Sequence, residues 1–539
     1  MAGDGNDARV VSGLTGPDRR WDDAEMVRTN QPSGSGASAG AFAGASAGVA
    51  ALAVGLGLGE LAAAVRRTWW SPLETVADRF IDVVPAGVKD LAITLFGTGH
   101  RRASTVGMLV VLAGVAAAAG VVAHRRGTRT IAPVAAALGL VAVVATLTAP
   151  GATAQAAVPS LVATAGGGAA LWRLTRRQRR DLAHPPSDAD PARRAVLASG
   201  AVLAAGVVVA GLGRWGQQRW STAAQRLAVL LPAPMRRRPP VPADPPVPGL
   251  ASLITPNDRF FRIDTAFTVP RVDAATWRLR VTGMVERELS FTFDELLERP
   301  QVEADITLSC VSNEVGGDLV GTARWQGLLL ADLLAQAGVR PEADQIVGRS
   351  TDGFTAGFPV SIVDGRDALV AVGMNGEPLP ARHGFPARLV VPGLYGYVSA
   401  TKWLTEIEVT RFDQVRGYWI DRGWAVEAPV KTQSRIDRPR GGVVAGATVI
   451  AGVAWAPHVG IVAVEVQVDD GPWQSATLAG DLGVDAWRQW WLPWDATPGR
   501  HRVRCRAVDG AGVVQTEQRR PVAPDGATGW HTRTVTVSA

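Results

Sequence analysis

The sequence predicts three structural classes in series: an all-α transmembrane bundle of about five spans, a mixed α/β domain and an all-β sandwich. Apolar residues crowd the first 215 positions as Ala/Val/Leu/Gly runs flanked by arginines, which is the composition of bilayer-crossing helices. Near residue 250 short apolar/polar alternations interleaved with helical stretches begin, and from about 430 the alternation sharpens, with turn residues between runs.

Residues 1–37 are polar and rich in Gly and Ser, a composition that buries too little apolar surface to fold, so a disordered tail is expected. The bundle occupies 38–215, with apolar stretches at 40–64, 104–123, 131–149, 156–172 and 195–213, each near the length that crosses about 30 Å of hydrocarbon. Gly40, Gly44 and Gly48 form a ridge that permits close helix packing. Leu73 to Leu95 mixes apolar residues with Asp78, Arg79, Asp82, Lys89 and Asp90 and reads as an interfacial amphipathic helix. Arg125, Arg126 and Arg129 fill one loop and seven arginines fall within 173–194, so both loops are expected to be cytoplasmic, and everything after residue 213 outside. Arg193-Arg194, just before the last span, resembles a twin-arginine export signal.

The net charge of +6 and pI near 9.9 come from arginines beside these spans and in the stretch behind them. They fit topology and anionic headgroups, not nucleic acid. Lysine occurs only as Lys89, Lys402 and Lys431, which singles out Lys402 among the arginines of the α/β domain. The linker, 216–249, holds eight prolines in the seventeen residues 232–248 and reads as a stiff spacer. In the α/β domain, 250–428, the runs 277–281, 389–391 and 407–410 are expected as strands, with 293–298 and 328–337 as short helices. In the last domain, 429–539, strands are expected at 447–454, 462–468, 500–508 and 531–537, separated by Asp469-Asp-Gly471 and Asp509-Gly510.

Two cysteines are present, Cys310 and Cys505. A Cys310–Cys505 disulfide is one reading for an oxidising compartment. The other places Cys310, where an apolar strand runs into the turn Cys310-Val-Ser-Asn-Glu-Val-Gly-Gly317, as the thiolate ligand of a soft metal, with Ser312 and Asn313 able to hydrogen-bond around the sulfur. Cys505, in an apolar strand, reads as a small buried hydrophobe. No HExxH, GxSxG or phosphate-loop string is present.

Several separated motifs resemble the molybdenum domain of the sulfite oxidase superfamily: Gly321-Thr-Ala-Arg-Trp-Gln-Gly327 after the cysteine, Thr255-Pro-Asn-Asp-Arg-Phe-Phe-Arg262, Arg382-His-Gly-Phe-Pro-Ala-Arg388 and Tyr395-Gly-Tyr-Val-Ser-Ala-Thr-Lys-Trp403. The resemblance covers about residues 250–539. It implies a molybdopterin-binding catalytic domain followed by an immunoglobulin-like sandwich of the dimerisation type. It implies a molybdenum–molybdopterin cofactor with Cys310 as metal ligand and catalytic residue. It further implies Asn257, Phe261, Arg262, Ser312, Asn313, His383, Arg388, Ala400, Thr401 and Lys402 around the pterin and its phosphate, consistent with the chemistry of guanidinium and ammonium groups. The expected partners are a small-molecule substrate, the lipid bilayer, a redox carrier such as a quinone, a cytochrome or a membrane protein, and a second copy through the C-terminal domain. The chain departs from the family where sulfite oxidisers carry Asn-Arg-Arg after the cysteine segment: here the run is Asn313-Glu-Val. A tryptophan, Trp424, falls at the substrate-side tyrosine, and Ile263 stands where oxidases carry histidine. The acidic Glu314 and Trp424 disfavour a small dianion. The expected function is a membrane-anchored oxidoreductase with its catalytic domain outside. The competing readings are a sulfite dehydrogenase and a non-catalytic membrane docking protein on an inherited fold.

Overall fold

The structure, a computed structural model, describes residues 34–66, 69–83, 100–148, 152–183, 191–218, 222–266, 269–270 and 272–539. Most of the expected tail lies outside these residues, and its last part, 34–37, is helical. Five long helices follow the five apolar stretches: Gly34–Ala63, His100–Arg126, Ile131–Leu147, Val158–Ala183 and Pro191–Gln218. Among the described residues four segments are long and apolar enough to cross a membrane, Gly40–Ala63, Val106–Arg126, Thr128–Leu147 and Arg193–Gln217. The fourth expected span lies on Val158–Ala183, which is not among them: its glycines, hydroxyls and the arginines of its second half hold its hydropathy down. The amphipathic segment is a helix over Pro72–Val83; its expected continuation falls outside the described residues.

The first helix is the hub of the bundle, because its glycines remove the side chains that would hold neighbours away. A Cβ at Gly48 would stand 1.9 Å from the carbonyl oxygen of Ala116, and one at Gly120 would stand 2.0 Å from that of Gly44. Such backbone-to-backbone contact is how helices associate where lipid supplies no hydrophobic drive. Leu109, Val110, Leu140, Val141, Val207 and Val208 point outward and are exposed. At one end of the bundle the buried carboxylate of Glu60 accepts hydrogen bonds from Ser71 and from Gln217 Nε2.

The Pro/Arg-rich stretch behind the bundle is strapped to the α/β domain. Met235 N–H donates to Gln301 O and Glu303 N–H to Arg236 O, at 2.8 and 2.9 Å. Two of its arginines, expected near headgroups, bond to this domain instead: Arg236 to Asp367 at 2.5 Å and Arg238 to Asp305 at 3.4 Å.

The α/β domain contains two sheets that share one core. One has the order Leu289–Thr292, Arg278–Gly283, Leu404–Thr410, Gln345–Ser350, Thr355–Pro359, with a parallel pair at Arg278–Gly283 and Leu404–Thr410. The other runs Val302–Ser309, Val320–Leu329, Leu369–Met374, Glu377–Pro378, with Arg388–Val390 paired to Leu369–Met374. The expected helices form at Phe293–Leu297, opened by a Thr292/Glu295 capping box, and at Leu330–Ala337, as their cap and period dictate. The last domain is two sheets face to face, and the expected strands form at Gly446–Trp455, Ile461–Val468, Gly499–Asp509 and His531–Ser538. Cys505 is fully buried in this core and Cys310 belongs to the other domain. Both thiols are free, so the disulfide reading is set aside.

The two domains meet beside the strand that leads to Cys310. Trp487, buried at the junction, donates its backbone N–H to Thr307 Oγ1 and its indole N–H to Leu253 O, both at 2.7 Å, while Thr307 N–H donates to Asp485 O at 2.9 Å. Trp487 thus clamps the strand that carries the thiol.

Candidate active site

Cys310 sits at the end of the strand Val302–Ser309, where the chain turns back into Val320–Leu329. The turn is held by its own polar groups: Cys310 N–H donates to Leu319 O at 2.9 Å, Asn313 N–H donates to Cys310 O at 3.0 Å, and Asn313 Oδ1 accepts from Leu319 N–H at 2.9 Å. Asn313 therefore shapes the loop and does not line the cavity. Burial raises the pKa of the Cys310 thiol, opposed by the backbone N–H and hydroxyl of Ser312, which hydrogen-bond the sulfur. Those two donors favour a thiolate once a cation shares the site.

The sulfur opens into a cavity of about 120 Å³ whose wall includes Phe261, Ser312, His383, Arg388, Ala400 and Lys402. Seven of the expected site residues, counting Cys310, are thus brought together. Gly384, at φ 114°, makes this possible on the basic side: a Cβ there would press to 3.1 Å on both Arg388 and Lys402.

Arg388 is 4% exposed, lies over the Trp325 ring at 4.9 Å, and donates to the carbonyls of Leu389, His383 and Ala400 at 3.4, 3.1 and 3.4 Å. Among the described residues no carboxylate pairs with it, and burial pushes its guanidinium down to about 9. A buried cation left without an anion is costly, so this position is built for a negative ligand. Arg262 carries a second such signal, for its Nη2 is buried without a partner while its Nε donates to Asp264. Lys402 donates to the same carboxylate and, at 3.0 Å, to Ile263 O.

His383 is 1% exposed and its Nε2–H donates to Asn257 O at 2.9 Å. That bond to a carbonyl fixes the tautomer, and burial holds the imidazole down to about 4, so it is neutral at pH 7. Asn257 acts through this carbonyl and through its amide, which donates to Met374 O at 3.3 Å and accepts from Asn375 Nδ2 at 2.8 Å. Thr401 is wholly buried and donates to Gly348 O at 3.4 Å. Asn257, Arg262, Asn313 and Thr401 support the cavity without lining it.

Sequence reasoning missed Asp264, the carboxylate that organises Arg262 and Lys402, although a lone acid two positions from one basic candidate was the available signal. It also missed the aromatic wall of Phe354, Tyr397 and Trp419, which joins Trp424. Glu314, expected to repel anions, is exposed and does not line the cavity.

The residues suit a group with a soft metal at one end and a phosphate at the other: one thiol with two supporting donors, one buried cation without an anion, and one orphaned guanidinium nitrogen. The family description "Oxidoreductase molybdopterin binding domain" matches residues 266–419. The mitochondrial sulfite oxidase of Rattus norvegicus is 32% identical over 336 residues, covering 52% of this chain and 61% of that protein. The sulfite oxidase of Gallus gallus is 32% identical over 337 residues, covering 52% of this chain and 72% of that protein. The sulfane dehydrogenase SoxCD from Paracoccus pantotrophus superposes with a TM-score of 0.48 at 26% identity, over 55% of this chain and 86% of that one. The chain thus spans about three-fifths of the length of the rat enzyme. The cofactor the site accepts is molybdenum held by molybdopterin. With its donor set and its similarity over most of the chicken enzyme, the chain belongs to the sulfite oxidase superfamily of molybdopterin oxidoreductases.

Proposed function

We propose that the protein is a membrane-anchored molybdopterin-dependent oxidoreductase that moves one oxygen atom and two electrons to or from a small molecule outside the cytoplasm. The observation that carries this reading is the pairing, in one cavity, of the Cys310 thiol with the buried, anion-free guanidinium of Arg388. When bound, the cofactor supplies the two-electron chemistry. The chain's own residues do the rest. Cys310 offers the protein sulfur, and Ser312 donates two hydrogen bonds to it. Arg388, with Arg262 and Lys402 released from or shared with Asp264, binds the phosphate. His383, neutral and fixed by Asn257, offers its other ring nitrogen as an acceptor.

Five helices cross the membrane in this reading, with Val158–Ala183 included because it packs closely on the first helix: a Cβ at Gly55 of the first helix would stand 2.7 Å from Ala163 O. The arginine-rich loops lie in the cytoplasm and both later domains outside, and Arg193-Arg194 directs export after the cofactor is loaded. The two-sheet domain is the immunoglobulin-like module of the family, a surface for a second copy. Electrons pass to or from a quinone, a cytochrome or a membrane protein. Metal and pterin analysis of the detergent-extracted protein tests the reading: stoichiometric molybdenum supports it, and metal-free native protein leaves only the docking role.

A further inference from the structure

We propose that Arg435, held by Asp437 of the last domain, is a positioning residue of the metal centre: it fixes the turn that follows Cys310 through the carbonyl of Gly317, so that the sulfur is presented to the cavity in one place. This rests on the enzyme reading above and gives the last domain a share in its site.

Arg435 and Asp437 stand two residues apart on the strand Gln433–Arg438, so the pleat puts both side chains on one face, and both are buried. Arg435 Nε and Nη2 donate to Asp437 Oδ1 and Oδ2 at 2.7 and 3.5 Å, and the same carboxylate accepts from Ala251 N–H at 3.1 Å. The remaining nitrogen, Nη1, crosses to the α/β domain and donates to Gly317 O at 2.8 Å. His531 presses on the turn beside it. A Cβ at Gly316, where φ is 80°, would stand 2.3 Å from its Cδ2 and 2.4 Å from its Nε2, while its Nδ1 accepts from Ile436 N–H, between the two charged residues. A buried ion pair adds little stability by itself; what this one adds is a rigid donor aimed at a carbonyl of the turn.

From Gly317 the contact runs back to the thiol through the turn itself. Gly317 lies against the side chain of Asn313, where a Cβ would stand 2.5 Å from Oδ1, and Asn313 N–H donates to Cys310 O at 3.0 Å. Gly317 N–H also closes on Glu314 O at 2.8 Å. Three residues before the cysteine the last domain takes hold again, with Trp487 and Asp485 bonded to Thr307. The sulfur therefore lies between two points fixed by a domain that contributes no residue to the cavity wall. Outer partners that orient a metal ligand in this way change the metal site when they are removed.

The pair is removed together in the test, Arg435→Met with Asp437→Asn, so that no buried charge is left alone; Asp437→Asn by itself keeps the guanidinium and serves as the control. Full-length, detergent-extracted protein from a host unable to make molybdopterin is treated with methyl methanethiosulfonate, and the two thiols are followed by mass spectrometry. Cys310 should react roughly five- to tenfold faster in the double variant, the factor by which losing one hydrogen bond from a charged donor favours opening of the turn. Cys505, in the core of the last domain, should keep its wild-type rate. In protein from a competent host, the sulfur-to-molybdenum charge-transfer absorption, normalised to molybdenum content, should shift or broaden in the double variant and stay as in wild type in the control. Arg435→Lys, which keeps a charged donor, should restore the wild-type band. An unchanged Cys310 rate or an unchanged band would overturn the proposal alone, and so would equal acceleration of Cys505, which would show that Arg435 serves only the fold of its own domain. Wild-type protein without molybdenum would remove the enzyme reading as well.

Discussion

Replacing Arg388 by methionine should separate its binding role from a structural one. Burial pushes the guanidinium well below its ordinary range, down to about 9, a penalty of several kcal/mol at about 1.36 kcal/mol per pH unit. Below pH 9 the native protein carries the charge at that cost, and the cost is relieved only as pH rises above about 9. Cofactor-free protein at pH 7.5 therefore bears it in full. Methionine removes the cost but forfeits three carbonyl bonds of 3.1–3.4 Å and the contact over Trp325, which together are worth a similar few kcal/mol. In protein from a host unable to make molybdopterin, Arg388→Met should melt within about 5 °C of wild type. In a competent host it should retain less than about a tenth of the pterin, since a charge-assisted pair with phosphate is lost. Scanning calorimetry and pterin fluorescence read the two quantities. Near-normal pterin content, or a melting temperature lower by more than about 10 °C without cofactor, would show that the arginine serves the fold.

Cys310→Ser, a nearly isosteric change, should leave the melting temperature within a few degrees while molybdenum content drops severalfold, measured by mass spectrometry. His383 and His531 are both held down to about 4 by burial, and His531 Nδ1 accepts a hydrogen bond from Ile436 N–H at 2.8 Å. Unfolded chains take up these protons near pH 6.5 and the native protein only near 4, so stability should fall as pH drops through that window. Each contributes up to about 3 kcal/mol, discounted for partial exposure at His531, and His383→Gln should flatten the acid limb of a melting-temperature profile. Gly48→Leu drives a side chain into Ala116 O and should cost about 1–3 kcal/mol, seen as a lower detergent midpoint for the helical signal with the cofactor spectrum unchanged.

The parts of the molecule legible from sequence are those whose signal is local. Period and caps mark Phe293–Leu297 and Leu330–Ala337, and the alternation of Ile461–Val468 marks a strand. The Gly40/Gly44/Gly48 ridge meets its partner helix as its spacing implies. Short motifs around Cys310, His383, Arg388 and Lys402 identify residues that converge from distant segments. What escaped the sequence is set by tertiary pairing. Asp264 matters because it lies opposite Lys402, which is 138 residues away in the chain. Phe354, Tyr397 and Trp419 join Trp424 only when three segments separate in the chain meet. Asn313 and Thr401 stand in motif positions, yet their side chains satisfy backbone groups of the scaffold. The proline-rich stretch reads as a spacer by composition, but its backbone pairs with the backbone of Gln301 and Glu303, a segment that no linear pattern connects to it.

Ligation of molybdenum by the sulfur of Cys310 is most directly measured by X-ray absorption at the metal edge on wild type and Cys310→Ser purified under the same conditions. Loss of one sulfur scatterer from whatever metal the serine protein retains is the predicted result. An unchanged sulfur count, or a wild-type metal shell lacking any sulfur beyond the pterin dithiolene, would contradict it.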